Sequence, residues 1–144
     1  MNFLSPGLKQ ALKYIIPILF VFWMLVSLYL TLFPSELLIE RSKMHHPKIG
    51  HVILFGGWTF LLGLTQIFSR GKYTQPLWVV FLAGVAFGAS VELLQFVLPF
   101  DRQGSIIDIG YNTIGSTIAI IMLILLRNWY VSRYKKPELI GNPE

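Results

Sequence analysis

The sequence predicts an all-α polytopic membrane protein, a single bundle of four transmembrane helices. Three observations lead there. Of 144 residues, 54% are hydrophobic and 13% charged, where soluble domains carry about 25% charge. The mean hydropathy is +0.62. Four apolar runs, Ile15–Phe33, Ile49–Phe68, Leu77–Leu98 and Ile106–Leu126, each approach or exceed the roughly 20 residues that a helix needs to cross a ~30 Å hydrocarbon core. Lipid admits only helices or closed barrels, and these runs lack the two-residue alternation of barrel strands. The length allows one domain, 1–144, with a basic tail over 127–144.

The first run follows Lys9 and Lys13. It is longer than a usual signal core and no small-x-small cleavage pattern follows it, so a retained helix is expected. Pro17 is expected in its opening turn, where a missing N–H costs little. Phe22, Trp23 and Tyr29 read as lipid-facing or packing residues rather than a cofactor box.

The first loop, Pro34–Lys48, is the longest connection and carries Glu36, Glu40, Arg41, Lys43, His45 and His46. Pro34-Ser35-Glu36 is expected to open a short interfacial helix through Leu37–Ile39. The second run then opens on Lys48-Ile-Gly-His51 and continues through Phe55 and Trp58. Lys48 and His51, three apart, share a face. Snorkelling to headgroups is the bland reading of Lys48, and a buried, hydrogen-bonded imidazole that of His51.

In the third run Gly84, Gly88, Glu92 and Gln95 fall on one face. The glycines invite close approach of another helix. Glu92 lies roughly 9 Å below the helix end at ~1.5 Å per residue. A carboxylate at that depth needs a partner, a watery cavity or a proton. An interhelical clamp and a binding or chemical role both remain open for it. Pro99 stops the helix and the chain restarts after Gly104.

The fourth run carries a matching stripe of Asp108, Asn112, Gly115 and Ala119. Ser105-Ile-Ile-Asp108 fits a capping box, with Ser105 as N-cap. Capping is one account of Asp108, and a place in a binding site is the other. Capping does not account for Asn112, one turn deeper, which suggests an interhelical hydrogen bond. Beyond Leu126, Trp129 and Tyr130 among Arg and Lys read as an interfacial anchor.

Charge sets the orientation. Eight Lys and Arg (9, 13, 70, 72, 127, 133, 135, 136) flank one side and four (41, 43, 48, 102) the other. The positive-inside rule places both termini in the cytoplasm, with the first and third loops outside. The net charge of +5 sits at helix ends, which suits an anionic leaflet and argues against nucleic acid. There is no cysteine, so neither disulfides nor thiolate metal sites arise.

Topology therefore gathers Lys48, His51, Glu92, Gln95, Arg102, Asp108 and Asn112 at one end as a candidate ligand-binding site. No metal or other cofactor is expected, because His45, His46 and His51 with Glu92 or Asp108 show no familiar zinc spacing. Ser90 and Ser105 lack a nucleophile elbow. His51 and Glu92 are the candidates for acid-base chemistry if the protein is an enzyme. Lys48 and Arg102 suit an anionic group, arginine with bidentate contacts.

Lys48-x-x-His51, Glu92-x-x-Gln95, Pro99, Arg102, Asp108, Asn112 and Gly115 in this order resemble the VanZ-like family of small bacterial membrane proteins. The resemblance spans about Pro47 to Ala119, half the chain, plus a compatible first helix. The family commonly has Asp before the lysine, and Pro47 stands there here, so no Asp-Lys pair is available. The resemblance implies a cell-envelope protein of the bacterial cytoplasmic membrane. Its namesake is linked to low-level resistance to teicoplanin-type glycopeptides, and no settled mechanism comes with the family. The expected function is binding or modulation of an anionic or peptidic envelope-lipid headgroup. Expected partners are membrane lipids, a lipid-linked cell-wall precursor, or other membrane proteins. A hydrolase or transferase acting on lipid-linked phosphate and a structural subunit of a membrane complex are the alternatives.

Overall fold

The computed structural model describes residues 6–32, 47–69, 76–98 and 104–134. They form α1 (Pro6–Leu32), α2 (Pro47–Leu64), α3 (Leu77–Val97) and α4 (Ile106–Tyr134), and a π-helical turn, Thr65–Ser69, ends α2. All four helices are long and apolar enough to cross a membrane. The chain is an all-α, multi-pass membrane protein, as its hydropathy predicts.

Helix ends differ from the apolar runs in two places. α1 begins at Pro6, more than two turns before Ile15, so Pro17 lies inside the helix and not in its opening turn. α4 continues past Leu126 to Tyr134, so the first part of the basic tail is helical. Hydropathy marks only the part that hydrocarbon can solvate. Helical hydrogen bonds continue through the interface, where long polar side chains reach water. α2 starts at Pro47, whose fixed φ and missing N–H suit the first helical position. The short helix expected after Pro34, together with His45 and His46, lies outside the described residues.

α2 and α4 form the most intimate pair, and glycine is the reason. A Cβ on Gly56 would sit 2.9 Å from the Gly115 carbonyl oxygen, and a Cβ on Gly115 would collide with the Val52 carbonyl oxygen. The two backbones touch there. α3 closes on this pair along its own glycine face. Gly84 abuts the Thr59 and Ser116 hydroxyls, and Gly88 abuts Asn112. Thr59 Oγ1 and Ser116 Oγ share a hydrogen bond of 2.9 Å, and the Thr59 hydroxyl also lies 2.9 Å from the Phe55 carbonyl. Both side chains are fully buried. With hydrocarbon outside, there is little hydrophobic force between helices, so close packing and such bonds hold them.

α1 leans on α2 and α3. Trp23 anchors it, donating its indole N–H to the Leu54 carbonyl at 2.9 Å and laying its ring over Gly57. Phe22 and Tyr29 face outward, the lipid side expected for them. Towards the other end, Ile67, Leu77, Val80 and Leu123 make a small apolar core. Tyr130 closes it with an edge contact to Phe68, ring centroids 5.3 Å apart. Tyr130 is therefore buried in the bundle and Trp129 remains exposed, so of the two aromatics only Trp129 presents the outward face an anchor needs.

Candidate functional site

Four helices of alternating direction bring the C-terminal ends of α1 and α3 and the N-terminal ends of α2 and α4 to one end of the bundle. Glu92 is the centre of what meets there, and it is 3% exposed. Its Oε2 accepts the backbone N–H of Ser105 at 3.1 Å. Its Oε1 accepts a long bond from Asn112 Nδ2 at 3.4 Å and lies 3.5 Å from His51 Nδ1. Asn112, 1% exposed, presents its Oδ1 to His51 Nδ1 at 3.0 Å. On the far side of the ring, His51 Nε2 is 4.0 Å from Asp108 Oδ2. Three helices thus contribute one network, with α2 giving the imidazole, α3 a carboxylate, and α4 an amide and a second carboxylate.

The Ser105 bond revises the capping argument. The Ser105 carbonyl accepts the N–H groups of Asp108 (3.0 Å) and Ile109 (3.2 Å), as an N-cap carbonyl does. In a capping box, however, the acid three residues on would reach back to the Ser105 N–H. Here Glu92 takes that N–H from another helix, and Asp108 turns toward His51 instead. A carboxylate beside the first N–H groups of α4 also meets the positive end of the helix dipole. The turn is tight, because a Cβ on Gly104 would collide with the Glu92 carbonyl oxygen. Glycine at 104 is what lets the chain cross so closely over α3.

Beneath the network lies an aromatic floor. The His51 ring stacks over Phe55, centroids 6.0 Å apart at 11°, and Phe55 meets Phe87 at 5.6 Å. Phe87 stacks on Trp58 at 4.4 Å, and Trp58 meets Phe20 at 5.3 Å. These rings separate the polar end from the rest of the bundle interior. They also fix His51 on one side, so that its two nitrogens address Asn112 and Asp108.

Not every expected member joins the network. Gln95 is buried, but its Nε2 donates to the Thr31 carbonyl at 2.7 Å. Thr31 is in the last turn of α1, where carbonyls lack helical partners, so Gln95 caps α1 and ties it to α3. Lys48 is exposed, and its ammonium lies 5.5 Å from the centroid of the Tyr111 ring, a cation-π distance at the rim of the site. Arg102 and Pro99 lie outside the described residues. Sequence reasoning missed Thr31, Tyr111 and the Ser105 backbone as participants. It also missed the Thr59–Ser116 pair, for which the one hint was Ser116 beside Gly115 on the small-residue face.

The described cluster is more acidic than the residue list suggested. Two carboxylates and an imidazole occupy its interior, and Lys48 sits at the edge. No protein-family model matches the chain, and searches of characterised proteins and of solved structures give no match.

Proposed function

We propose that the protein is a VanZ-like, non-catalytic component of a bacterial cell envelope whose polar end engages the headgroup of an envelope lipid. The observation that carries the reading is the Glu92–His51–Asp108–Asn112 network, built from three spanning helices. Ionisable groups in such helices are costly and mark functional sites by default. In this reading Glu92 and Asp108 meet an amine of a peptidic or amino headgroup. Lys48 at the rim and Arg102, three residues before Ser105 in the chain, meet its phosphate or carboxylate. A lipid-linked cell-wall precursor has both kinds of group, which is also the route by which glycopeptide susceptibility would change.

Native mass spectrometry and lipid pull-down on the full chain test this. A preference for one anionic or peptidic headgroup is expected, weakened at least several-fold in Arg102→Ala and Asp108→Asn. Equal retention of all lipids by wild type and variants would sink the reading. An assembly defect in Glu92→Gln with lipid binding intact would instead favour a structural subunit. The 3.5 Å approach of His51 to Glu92 also supports a second reading, an acid-base pair acting on lipid-linked phosphate. A product formed from such a lipid by wild type and not by His51→Ala would establish it.

We place the protein in the cytoplasmic membrane with both termini inside, on the Lys and Arg distribution. The chain has no cysteine, so single cysteines report cleanly. Ser42→Cys is expected to react with an impermeant maleimide on intact cells, and Asn142→Cys only after permeabilisation. The reverse pattern would invert the orientation.

A further inference from the structure

We infer that His51, Glu92 and Asp108 form a binding site for one first-row divalent cation, of the Zn²⁺ or Mn²⁺ kind. One ligand atom from each residue lies within 4.8 Å of the other two. Atoms sharing an ion at ~2.0–2.2 Å stand at most about 4.2 Å apart. The 4.0 Å between His51 Nε2 and Asp108 Oδ2 is too long for a hydrogen bond and falls within that limit. That limit is for atoms opposite one another on the ion. To reach a tetrahedral or cis spacing the 4.0 Å pair must close by roughly 0.6–1 Å and the widest pair by roughly 1–2 Å, so the site forms by side-chain movement on binding.

The surroundings support this more than the distances alone do. Metal-bound histidines donate their second ring N–H to an acceptor that fixes tautomer and orientation. Asn112 Oδ1, 3.0 Å from His51 Nδ1, is such an acceptor. With Nδ1 protonated, Nε2 carries its lone pair towards the Asp108 carboxylate. Two electron-rich atoms then face each other, an arrangement that a cation between them stabilises. Glu92 is also suitably divided. Its Oε2 is held by the Ser105 N–H, and its Oε1 is engaged only by the long Asn112 contact and the His51 approach. One oxygen anchors the side chain. The other lies on the Nδ1 side of the ring, and to share a cation with Nε2 and Asp108 it must swing along the ring edge and give up the long Asn112 contact. An imidazole with two carboxylates is a mixed donor set suited to Zn²⁺, Fe²⁺ or Mn²⁺ more than to copper(I) or a cluster.

Three protein ligands leave coordination positions open. Asp108 and His51 are partly exposed, so those positions face the rim. The natural fourth ligand is water or a phosphate or carboxylate oxygen. With a cation there, Glu92 and Asp108 are its ligands and meet the headgroup's phosphate or carboxylate through it, in place of the direct amine contact proposed above. The cation site rests on the ligand geometry and stands without the headgroup reading.

The test uses the untagged full chain in detergent, stripped with chelator and titrated with Zn²⁺ alone and Mn²⁺ alone. One equivalent per chain is expected, with a rise in unfolding temperature on addition. Asp108→Asn and His51→Ala should each weaken affinity at least 100-fold and lose the thermal shift. Asn112→Ala should weaken it 10–100-fold through ligand orientation. The double variant His45→Ala/His46→Ala should bind as wild type does, excluding capture by the loop histidines. Asp108 is the safest probe of folding because it is partly exposed, and circular dichroism of Asp108→Asn must match wild type. Absence of stoichiometric binding by wild type, or equal affinity in folded Asp108→Asn, overturns the proposal. Cation binding without any lipid preference upholds the site and removes the headgroup reading, so the two fail separately.

Discussion

Gly115→Leu is expected to leave no folded protein, with the chain recovered as aggregate or degraded in the membrane. The reason is geometric. At Gly115 the first side-chain carbon already collides with the Val52 carbonyl oxygen and lies 3.0 Å from the Gly56 nitrogen. Both are backbone atoms of a helix, so no rotamer change relieves the clash. α2 must move away from α4 as a unit, and the Thr59–Ser116 bond and the His51–Asn112 bond span the same interface. Overpacking a well-filled interior costs about 1–3 kcal/mol even where side chains can adjust. Here the obstacle is backbone, so Gly115→Ala is expected at or above the top of that range. Gly110→Ala is the control, because nothing lies within 4 Å of its Cβ position, and it should be neutral or slightly stabilising. Denaturant titration in bicelles with size-exclusion profiles checks all three. If Gly115→Ala unfolds like wild type, the backbone contact between α2 and α4 is wrong.

Glu92→Ala is expected to be the second most damaging substitution. It removes the acceptor for the Ser105 N–H, a partner of Asn112 and the charge facing His51 at once. A buried donor left unsatisfied costs about 1–3 kcal/mol, while interhelical bonds inside membranes average about 0.6 kcal/mol. With two donors affected, a loss of roughly 2–3 kcal/mol is the expected result. Glu92→Gln keeps an acceptor oxygen and should recover about half of that loss, while ligand or cation binding falls as far as in Glu92→Ala. Such a split between stability and binding is the signature to look for. Equal stability loss in both variants would make the negative charge, rather than the acceptor, the important property of Glu92. No loss in either would mean that Ser105 and Asn112 find other partners.

Glu92, His51, Asp108 and Asn112 were legible because each is a polar interruption of an apolar helix, and alternating topology assigns them to one end. Gln95 was equally conspicuous and yet bonds to α1, because the roughly 60° of rotation that separates it from Glu92 on the helix decides which neighbour a side chain reaches. Capping explained Asp108 from local sequence, and the tertiary contact from Glu92 to Ser105 displaced that explanation. A carboxylate 13 residues away in the chain is invisible to any local motif. The three proposed cation ligands could be named from the sequence and set aside for want of a known spacing; their approach to one another was not legible, for the same reason. Known spacings describe ligands on one helix or hairpin, and these three come from three helices.

The sequence alone determined the class, the number of spans and the end of the bundle where polar chemistry collects. Hydrocarbon makes those decisions, since it prices every residue by its own polarity and demands a fixed span length. What only the tertiary structure decided is the pairing: glycine backbones in contact at 56 and 115, Glu92 capping α4 from α3, and an imidazole set between two carboxylates. Those depend on helix rotation and depth to within an ångström or two. Packing fixes both, and the hydrophobic pattern, with lipid on the outside and little polarity within, leaves them open.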